Sequence, residues 1–353
     1  MSLPSLFTIG QQLRGRAGHY RITKQLSEFV YSALYRFIDS NQNEQPVVIK
    51  SVAGHWRLQN ERDILHRFQS APHLRPLLDE IEDPREPPAI VLRHLDDDLT
   101  RATATKQQRL TRQEIKFVAR NVLEALRTLH AEGYVHTGMK SGPFYYICAY
   151  TIYLINILVN YGKGEYRFSE VQLADCGGVV SDQSEFAKKG ILTGTNVFRA
   201  PEVHLEIPWG IASDIWSFGV TIWGLNFHLF EPRNKDAEES YDLQVLMKQH
   251  EWFGPFPHSM KEIVDEGADK IVAYIYGKVE RVGAFLYAKE REICEADKAF
   301  ILRIMKLDPR DRPTAVELLK DEWFTEQSER TVGSYLMEEW EELQRQKDSG
   351  RQQ

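Results

Sequence analysis

The sequence is poor in cysteine, and its three cysteines, Cys148, Cys176 and Cys294, are widely separated. Disulfide-stapled secreted proteins carry several cysteine pairs, and structural zinc sites use closely spaced ones, so neither class is indicated. The chain also lacks an excess of basic residues, since its net charge is −7 and no basic cluster stands out. We therefore expect an intracellular protein, cytoplasmic or nuclear, without a nucleic-acid partner.

The N-terminus lacks a basic start followed by a sustained apolar stretch, so no signal peptide is expected. Charge is missing from one internal run, the 22 residues 141–162 that lie between Lys140 and Lys163. Its length raises the question of a membrane span. However, it contains Gly142, Pro143, two asparagines and five tyrosines, so a membrane span is disfavoured.

Strand-forming and helix-forming patterns occupy different halves of the chain. A content of 42% hydrophobic and 27% charged residues over 353 positions is that of a globular protein with room for two lobes. A helix is predicted over 56–69, and apolar residues recur at helical spacing from residue 113 onward. β-branched and aromatic residues predict strands at 20–22, 29–31, 33–37, 46–50 and 89–92. Strands first and helices afterwards predict an α+β protein with two unequal lobes.

Several short motifs follow one another along the chain in a characteristic order. Val47-Val48-Ile49-Lys50 ends a predicted strand, and Glu61 stands on the next helix. Tyr134-Val135-His136-Thr137-Gly138-Met139-Lys140 precedes the uncharged run, and Asn156-Ile157-Leu158-Val159 lies at its far end. Downstream come Leu173-Ala174-Asp175-Cys176-Gly177, Gly194-Thr195-Asn196-Val197-Phe198-Arg199-Ala200-Pro201-Glu202, Ser213-Asp214-Ile215-Trp216-Ser217-Phe218-Gly219 and Asp311-Arg312-Pro313-Thr314-Ala315.

This series resembles the eukaryotic protein kinases, over roughly residues 20–325. The resemblance implies a bilobal protein kinase fold, with a small β-rich N-lobe at 20–95 and a larger helical C-lobe at 96–325. An N-terminal extension, 1–19, would precede them, and an acidic helical tail, 326–353, would follow. The activation-segment motif around Thr195 implies the serine/threonine class, with a protein substrate or partner.

The resemblance also implies binding of ATP and Mg²⁺. Lys50 would bind the phosphates and pair with Glu61, and Lys140 would belong to the catalytic loop. Asn156 and Asp175 would hold the metal. The adenine pocket would be formed by Val30, Val48, Lys50 and Leu95. Glu202 and Arg312 would form a buried pair that fixes the activation segment.

The departures from the family pattern concentrate at the phosphates and the base. The turn around Glu28, between the first two strands of the lobe, has no glycine and is shortened, so backbone amides have less access to phosphates. Val48 replaces a smaller alanine. Gly138 stands where the base aspartate belongs, and glycine cannot accept a proton. Thr137 replaces the arginine that usually binds a phosphorylated activation loop, so control by phosphorylation is less expected.

The uncharged run divides the catalytic loop. Fifteen residues separate Lys140 from Asn156 where the family has two, so an insertion of thirteen residues, at about 141–154, is present. Its aromatic content is unusual for a solvated loop. Three interpretations remain open: a structural insertion that buries its aromatics, a lipid contact, or translated non-coding sequence.

Two functions fit this combination. One is a protein kinase-like domain that binds ATP but transfers phosphate poorly. The alternative is a pseudokinase, a binding or scaffold module without phosphotransfer. A small-molecule kinase is disfavoured, because the segment that ends at Ala200-Pro201-Glu202 suits a protein substrate.

Overall fold

The structure, a computed structural model, describes residues 6–37, 44–52, 54–104, 109–138, 156–164, 166–223, 229–232, 238–290 and 293–326. Six antiparallel strands near the N-terminus close into a barrel in the order β1-β2-β3-β4-β6-β5. They are β1 Gln12–Gly15, β2 Gly18–Ser27, β3 Val30–Phe37, β4 Gln45–Ser51, β5 Leu77–Asp83 and β6 Ala89–Arg93. The barrel makes up most of the strand-rich first part of the molecule, and its strand β1 lies within the predicted N-terminal extension 1–19.

Side chains on β4 alternate between two separate cores, because successive residues of a strand face opposite ways. Val47 and Ile49 belong to the core inside the barrel, together with Tyr20 and Tyr31. Val48 belongs instead to the large core that continues into the rest of the molecule. Helix α1, Trp56–Arg67, contributes Leu58, Ile64 and Leu65 to that same core. The outer face of β4 is therefore where the two lobes meet.

The remainder of the chain is mainly helical. Helix α3, Arg112–His130, begins with a capping box, in which Thr111 accepts from the Glu114 N–H and Glu114 accepts from the Thr111 N–H. Its buried stripe includes Val118, Val122 and Leu126. The other helices in the described ranges are α2 Leu99–Ala102, α4 Glu185–Lys188, α5 Pro201–His204, α6 Ile211–Trp223, α7 Tyr241–Phe253, α8 Glu266–Lys278, α9 Glu295–Ile304 and α10 Ala315–Leu318.

Two small sheets lie in the part of the chain that follows the barrel. Strands β7 Asp97–Asp98, β9 Ile157–Tyr161 and β10 Phe168–Leu173 form one sheet, and β8 Tyr134–Val135 pairs with β11 Val180–Ser181 in the other. Ile157 lies opposite Leu173 in the β9–β10 hairpin. This register places the residues just outside the hairpin, Asn156 and Ala174, side by side.

The predicted α+β organisation is confirmed, with a strand-rich first part and a helical second part. The strands predicted at 29–31 and 33–37 are one continuous strand, β3, and the helix predicted over 56–69 is α1. Within the described ranges, no helix is both long and apolar enough to cross a membrane. The insertion at 141–154 and all but the first residue of the predicted tail lie outside the described residues.

Candidate active site

Lys50 lies at the centre of the site and binds two carboxylates. Its Nζ donates to Glu61 Oε2 at 2.6 Å and to Asp175 Oδ1 at 2.7 Å. Strand β4 supplies the lysine, helix α1 the glutamate, and the loop after β10 the aspartate. Glu61, 11 residues after Lys50, and Asp175, 125 residues after it, therefore meet at one ammonium group, and the pair of Lys50 with Glu61 is the one that the sequence predicts.

The electrostatics of this group keep the lysine charged. Burial opposes the positive charge, but Asp175 and Glu61 together raise the Lys50 pKa above its ordinary value. A second cation, Arg75, interacts electrostatically with the same two carboxylates, Glu61 and Asp175. Burial lowers the pKa of Arg75 to about 10, although both carboxylates favour its charged form. Arg75 Nε donates to the carbonyl of Arg93 at 2.8 Å, so this cation also joins the end of β6.

Asp175 has a backbone conformation that L-residues rarely adopt, with φ 63° and ψ 57°. Such a conformation costs about 1–3 kcal/mol and persists only where surrounding contacts impose it. Directly after it, residues Cys176–Gly178 form a buried turn of 3₁₀ helix. Gly177 lies so close to α1 that a Cβ there would be 3.2 Å from the Arg57 carbonyl.

The residues predicted to form the adenine pocket lie around Lys50. Val30 is the cross-strand neighbour of Lys50, and Val48 precedes Lys50 by two on the same face of β4. Val48 is buried and Val30 is half-buried against the same core. Leu95 is buried two residues beyond the end of β6.

The catalytic-loop segment is anchored by a buried carboxylate of α6. Asp214 accepts from the backbone N–H groups of His136, at 2.6 Å, and Thr137, at 3.0 Å. His136 is itself buried, and its Nε2 lies 3.1 Å from the Ala174 carbonyl, while its Nδ1 accepts from the Gly138 N–H. Burial lowers the His136 pKa, which suits a neutral imidazole that donates from Nε2.

The two sides of the insertion meet at Ala174. Its carbonyl oxygen contacts the His136 ring, and its N–H donates to the carbonyl of Asn156 at 2.8 Å. The described residues on both sides of 139–155 therefore contact Ala174, which directly precedes Asp175. Lys140 lies outside the described residues, so the structure brings together only two of the three predicted catalytic positions.

The turn predicted to be short is a two-residue connection. Ser27 pairs with Val30 across β2 and β3, which leaves only Glu28 and Phe29 in the turn. Neither is a glycine, so the close backbone approach that a glycine-rich loop gives to phosphates is absent from this turn.

The predicted pair Glu202–Arg312 is present and buried. Arg312 donates to both carboxylate oxygens of Glu202 at 2.7 Å, and both side chains are 0% exposed. Arg312 also donates to the carbonyls of Lys306 and Ala212, so the pair ties α5 to the segments around α6 and α9.

Two residues near the site were missed by the sequence analysis. Arg75 has no motif, because it stands in an irregular segment before β5. Asn60 immediately precedes Glu61, and its Nδ2 donates to the carbonyls of Gly177 and Val179 at 3.2 and 2.9 Å. The sequence did offer one signal for Asn60, which is a polar residue directly beside Glu61 on the predicted helix.

Comparison with known proteins assigns the fold to a family. The family model of the protein kinase domain matches residues 20–324. Over 322 residues the chain is 26% identical to CTD kinase subunit alpha of Schizosaccharomyces pombe, an alignment that covers 88% of this chain and 49% of that protein. It is 26% identical over 212 residues to serine/threonine-protein kinase PAK 4 of Homo sapiens, which covers 60% of this chain and 27% of that protein.

A shorter match is closer in sequence. Over 114 residues the chain is 37% identical to serine/threonine-protein kinase 4 homolog A of Dictyostelium discoideum, which covers 32% of this chain and 20% of that protein. The chain thus spans about half the length, or less, of these curated relatives. With the family model matching most of its length, the chain belongs to the protein kinase domain family.

Proposed function

We propose that this chain is a serine/threonine-type protein kinase-like domain that binds ATP with magnesium and, with its sequence as it stands, transfers phosphate to protein hydroxyls only weakly. Its lobes are assigned to residues 20–95 and 96–325. The observation that carries the proposal is the double ion pair of Lys50 with Glu61 and Asp175. The ion pair of Lys50 with Asp175 places a lysine of one lobe beside a carboxylate of the other. Phosphoryl transfer requires these two groups to lie together.

The residues present fit a magnesium ion that is partly held by phosphate oxygens. Among the described residues, no group of three or more His, Cys, Asp or Glu would hold a metal alone. Magnesium typically takes one or two protein carboxylates and completes its shell with water and phosphate. Asn156 is 5% exposed, and its buried Nδ2 has no hydrogen-bond partner in the described part of the chain. An unpaired amide N–H of this kind suits an acceptor such as a phosphate oxygen, while the Oδ1 of the same side chain would be the atom that binds magnesium.

Each residue then has a defined part. Lys50 binds phosphate oxygens, and Glu61 holds Lys50 in place. Asp175 and Asn156 would hold magnesium, which would supply neutralisation of the charge on the transferring phosphate. Val30, Val48 and Leu95 cover the adenine ring. Lys140 belongs to the same machinery by its place in the motif.

Weak transfer follows from Gly138. The position offers no side chain to accept the proton of the acceptor hydroxyl. Loss of a positioned general base typically lowers rates by about 10²–10⁴-fold, or about 3–5 kcal/mol of barrier. The two-residue turn at Glu28–Phe29 weakens phosphate binding further, since it brings no glycine and adds a negative charge.

A scaffold without phosphotransfer is the second candidate, and the same two features favour it. Gly138 removes the base, and the short turn removes the phosphate cradle. Under this alternative the ion pairs of Lys50 preserve the arrangement of the lobes for a protein partner.

Thermal unfolding with and without nucleotide separates the candidates. A ligand at 100 times its Kd stabilises a fold by about 2.7 kcal/mol, so millimolar ATP with magnesium should raise the Tm. Lys50→Met should abolish the rise, whereas Lys270→Met, at an exposed lysine of α8, should keep it. No rise in the parent protein at millimolar ATP would reject nucleotide binding and leave the scaffold.

Whether the insertion at about 141–154 is present in the protein from its native source requires a separate measurement. Peptide mass mapping across residues 134–163 of the protein from its native source should find the aromatic run if it is a true insertion. Peptides that join the two flanks directly, with aspartate after Thr137, would instead identify the run as translated non-coding sequence and would restore a complete catalytic loop.

A further inference from the structure

Three consecutive backbone carbonyls after Asp175 are each bound by a side chain from outside the turn. Asn60 Nδ2 donates to Gly177 O at 3.2 Å and to Val179 O at 2.9 Å. Thr137 Oγ1 donates to the carbonyl between them, Gly178 O, at 2.8 Å. We name these three bonds the carbonyl clamp. Gly177, Gly178 and Val179 are all buried, and a buried carbonyl without a donor is costly.

The two donors reach the turn from opposite lobes. Asn60 lies on α1, one residue before Glu61, which holds Lys50. Thr137 lies on the catalytic-loop segment, and its N–H is fixed by Asp214 of α6. Hydrogen bonds from the small lobe and from the large lobe therefore both hold the turn beyond Asp175.

Both donors are neutral. An amide and a hydroxyl bind these carbonyls without any added phosphate, and Thr137 occupies the position of an arginine that would require one. Asp175, whose φ is 63°, directly precedes this turn. Contacts such as these three hydrogen bonds must hold its strained backbone in place.

From this geometry we infer that Asn60 and Thr137 are positioning residues, which set the magnesium-binding carboxylate of Asp175 without phosphorylation of the activation segment. The inference deepens the proposed function, because it takes Asp175 as a magnesium ligand. The effect of the carbonyl clamp on the stability of residues 176–180 does not depend on nucleotide binding.

Isosteric substitutions separate hydrogen bonding from shape. Asn60→Asp keeps the shape but removes both donors and places a carboxylate against carbonyl oxygens. Thr137→Val likewise removes a donor at constant shape, whereas Thr137→Ser retains it. Gln59→Ala, at an exposed position of α1 next to Asn60, is the matched control.

Hydrogen exchange in the nucleotide-free protein tests the clamp first. A hydrogen bond contributes about 1 kcal/mol net, so losing the donors should speed exchange of amides 176–180 by about fivefold to tenfold or more. Thr137→Ser and Gln59→Ala should stay within about twofold of the parent. Unchanged exchange in α6 would show that the variants are folded. If Asn60→Asp and Thr137→Val also stay within twofold, the clamp is rejected.

A magnesium titration tests the positioning role. At fixed ATP, the magnesium concentration that gives half of the maximal thermal shift should rise about tenfold for Asn60→Asp and Thr137→Val, by the same reasoning. Thr137→Ser should restore the parent value. Faster exchange with an unchanged magnesium midpoint would overturn the positioning role. A parent that shows no nucleotide shift would instead reject the proposed function, while the exchange experiment would still decide the clamp.

Discussion

Gly138, at the position where the resemblance places the base, has a backbone conformation that favours glycine, since its φ is +52°. Among residues with a side chain, aspartate and asparagine tolerate this region best. An aspartate at 138 would therefore supply a proton acceptor at a lower conformational cost than most other residues with a side chain. The position lies one residue after Thr137, whose N–H is already anchored on Asp214.

Restoring the base should restore phosphotransfer. In a variant lacking residues 141–153, which leaves two residues between Lys140 and Asn156, Gly138→Asp should raise the rate of ³²P transfer to casein by about 10²–10⁴-fold over the Gly138 form. Gly138→Ala, with a side chain but no base, should show no gain. Equal rates for the aspartate and alanine variants would rule out a missing base as the cause of weak activity.

At the scale of single residues, motifs predicted Glu61 as the partner of Lys50 and Asp175 as a metal ligand. Both carboxylates accept from the ammonium group of Lys50. Arg75 and Asn60 were not predicted, because each acts through backbone carbonyls and such bonds impose no sequence pattern. The position of Lys140 remains a prediction, since it lies outside the described residues.

Between elements, the buried pair Glu202–Arg312 is a strong constraint. The carboxylate belongs to α5, and the guanidinium also donates to the carbonyls of Ala212, in α6, and Leu307, beyond the end of α9. Neither side chain has contact with water, so removing one partner leaves the other charged and unsatisfied.

Glu202→Gln should lower the free energy of unfolding by about 3–5 kcal/mol, because it orphans the Arg312 charge. Urea unfolding at pH 7.5 measures the change. The matched control is Glu266→Gln, which removes the exposed pair with Lys270 on α8 and should cost less than about 0.5 kcal/mol. Similar losses for the two variants would contradict the assignment of Glu202 and Arg312 as an essential buried pair.

Strand β5 illustrates why some elements escaped prediction. Its inward positions are Leu77, Asp79 and Ile81, so an acidic residue interrupts the apolar alternation that marks a strand. Asp79 is tolerated because it accepts from the Tyr20 hydroxyl and from the N–H groups of Arg16 and Ala17. Those bonds close the barrel between β5 and the β1–β2 turn, and only the folded structure reveals them.

For the whole molecule, acid sensitivity follows from a buried histidine. His250 is 0% exposed, and burial lowers its pKa from 6.5 to about 4. The unfolded chain therefore takes up a proton below about pH 6.5 that the folded protein refuses until about pH 4. The stabilising effect of a neutral His250 is complete above pH 6.5 and is lost as the pH falls toward 4.

Urea unfolding between pH 7.5 and 4.5 should show this loss, which reaches about 3 kcal/mol for a full shift of this size. His204, whose burial likewise lowers its pKa to about 4, should add to the slope. His250→Gln removes one titrating group and should flatten the curve. An unchanged slope in that variant would assign the acid sensitivity to other groups.

At Ala174, the chain on either side of the insertion meets within hydrogen-bonding distance. A polypeptide divided there by removing residues 139–155 would consist of two pieces, 1–138 and 156–353, and the ion pair of Lys50 with Asp175 would cross the division. The bonds from Asp214 to His136 and Thr137 would cross it as well. The fold thus offers a natural point for a split reporter, in which nucleotide binding returns only when two fused proteins bring the halves together.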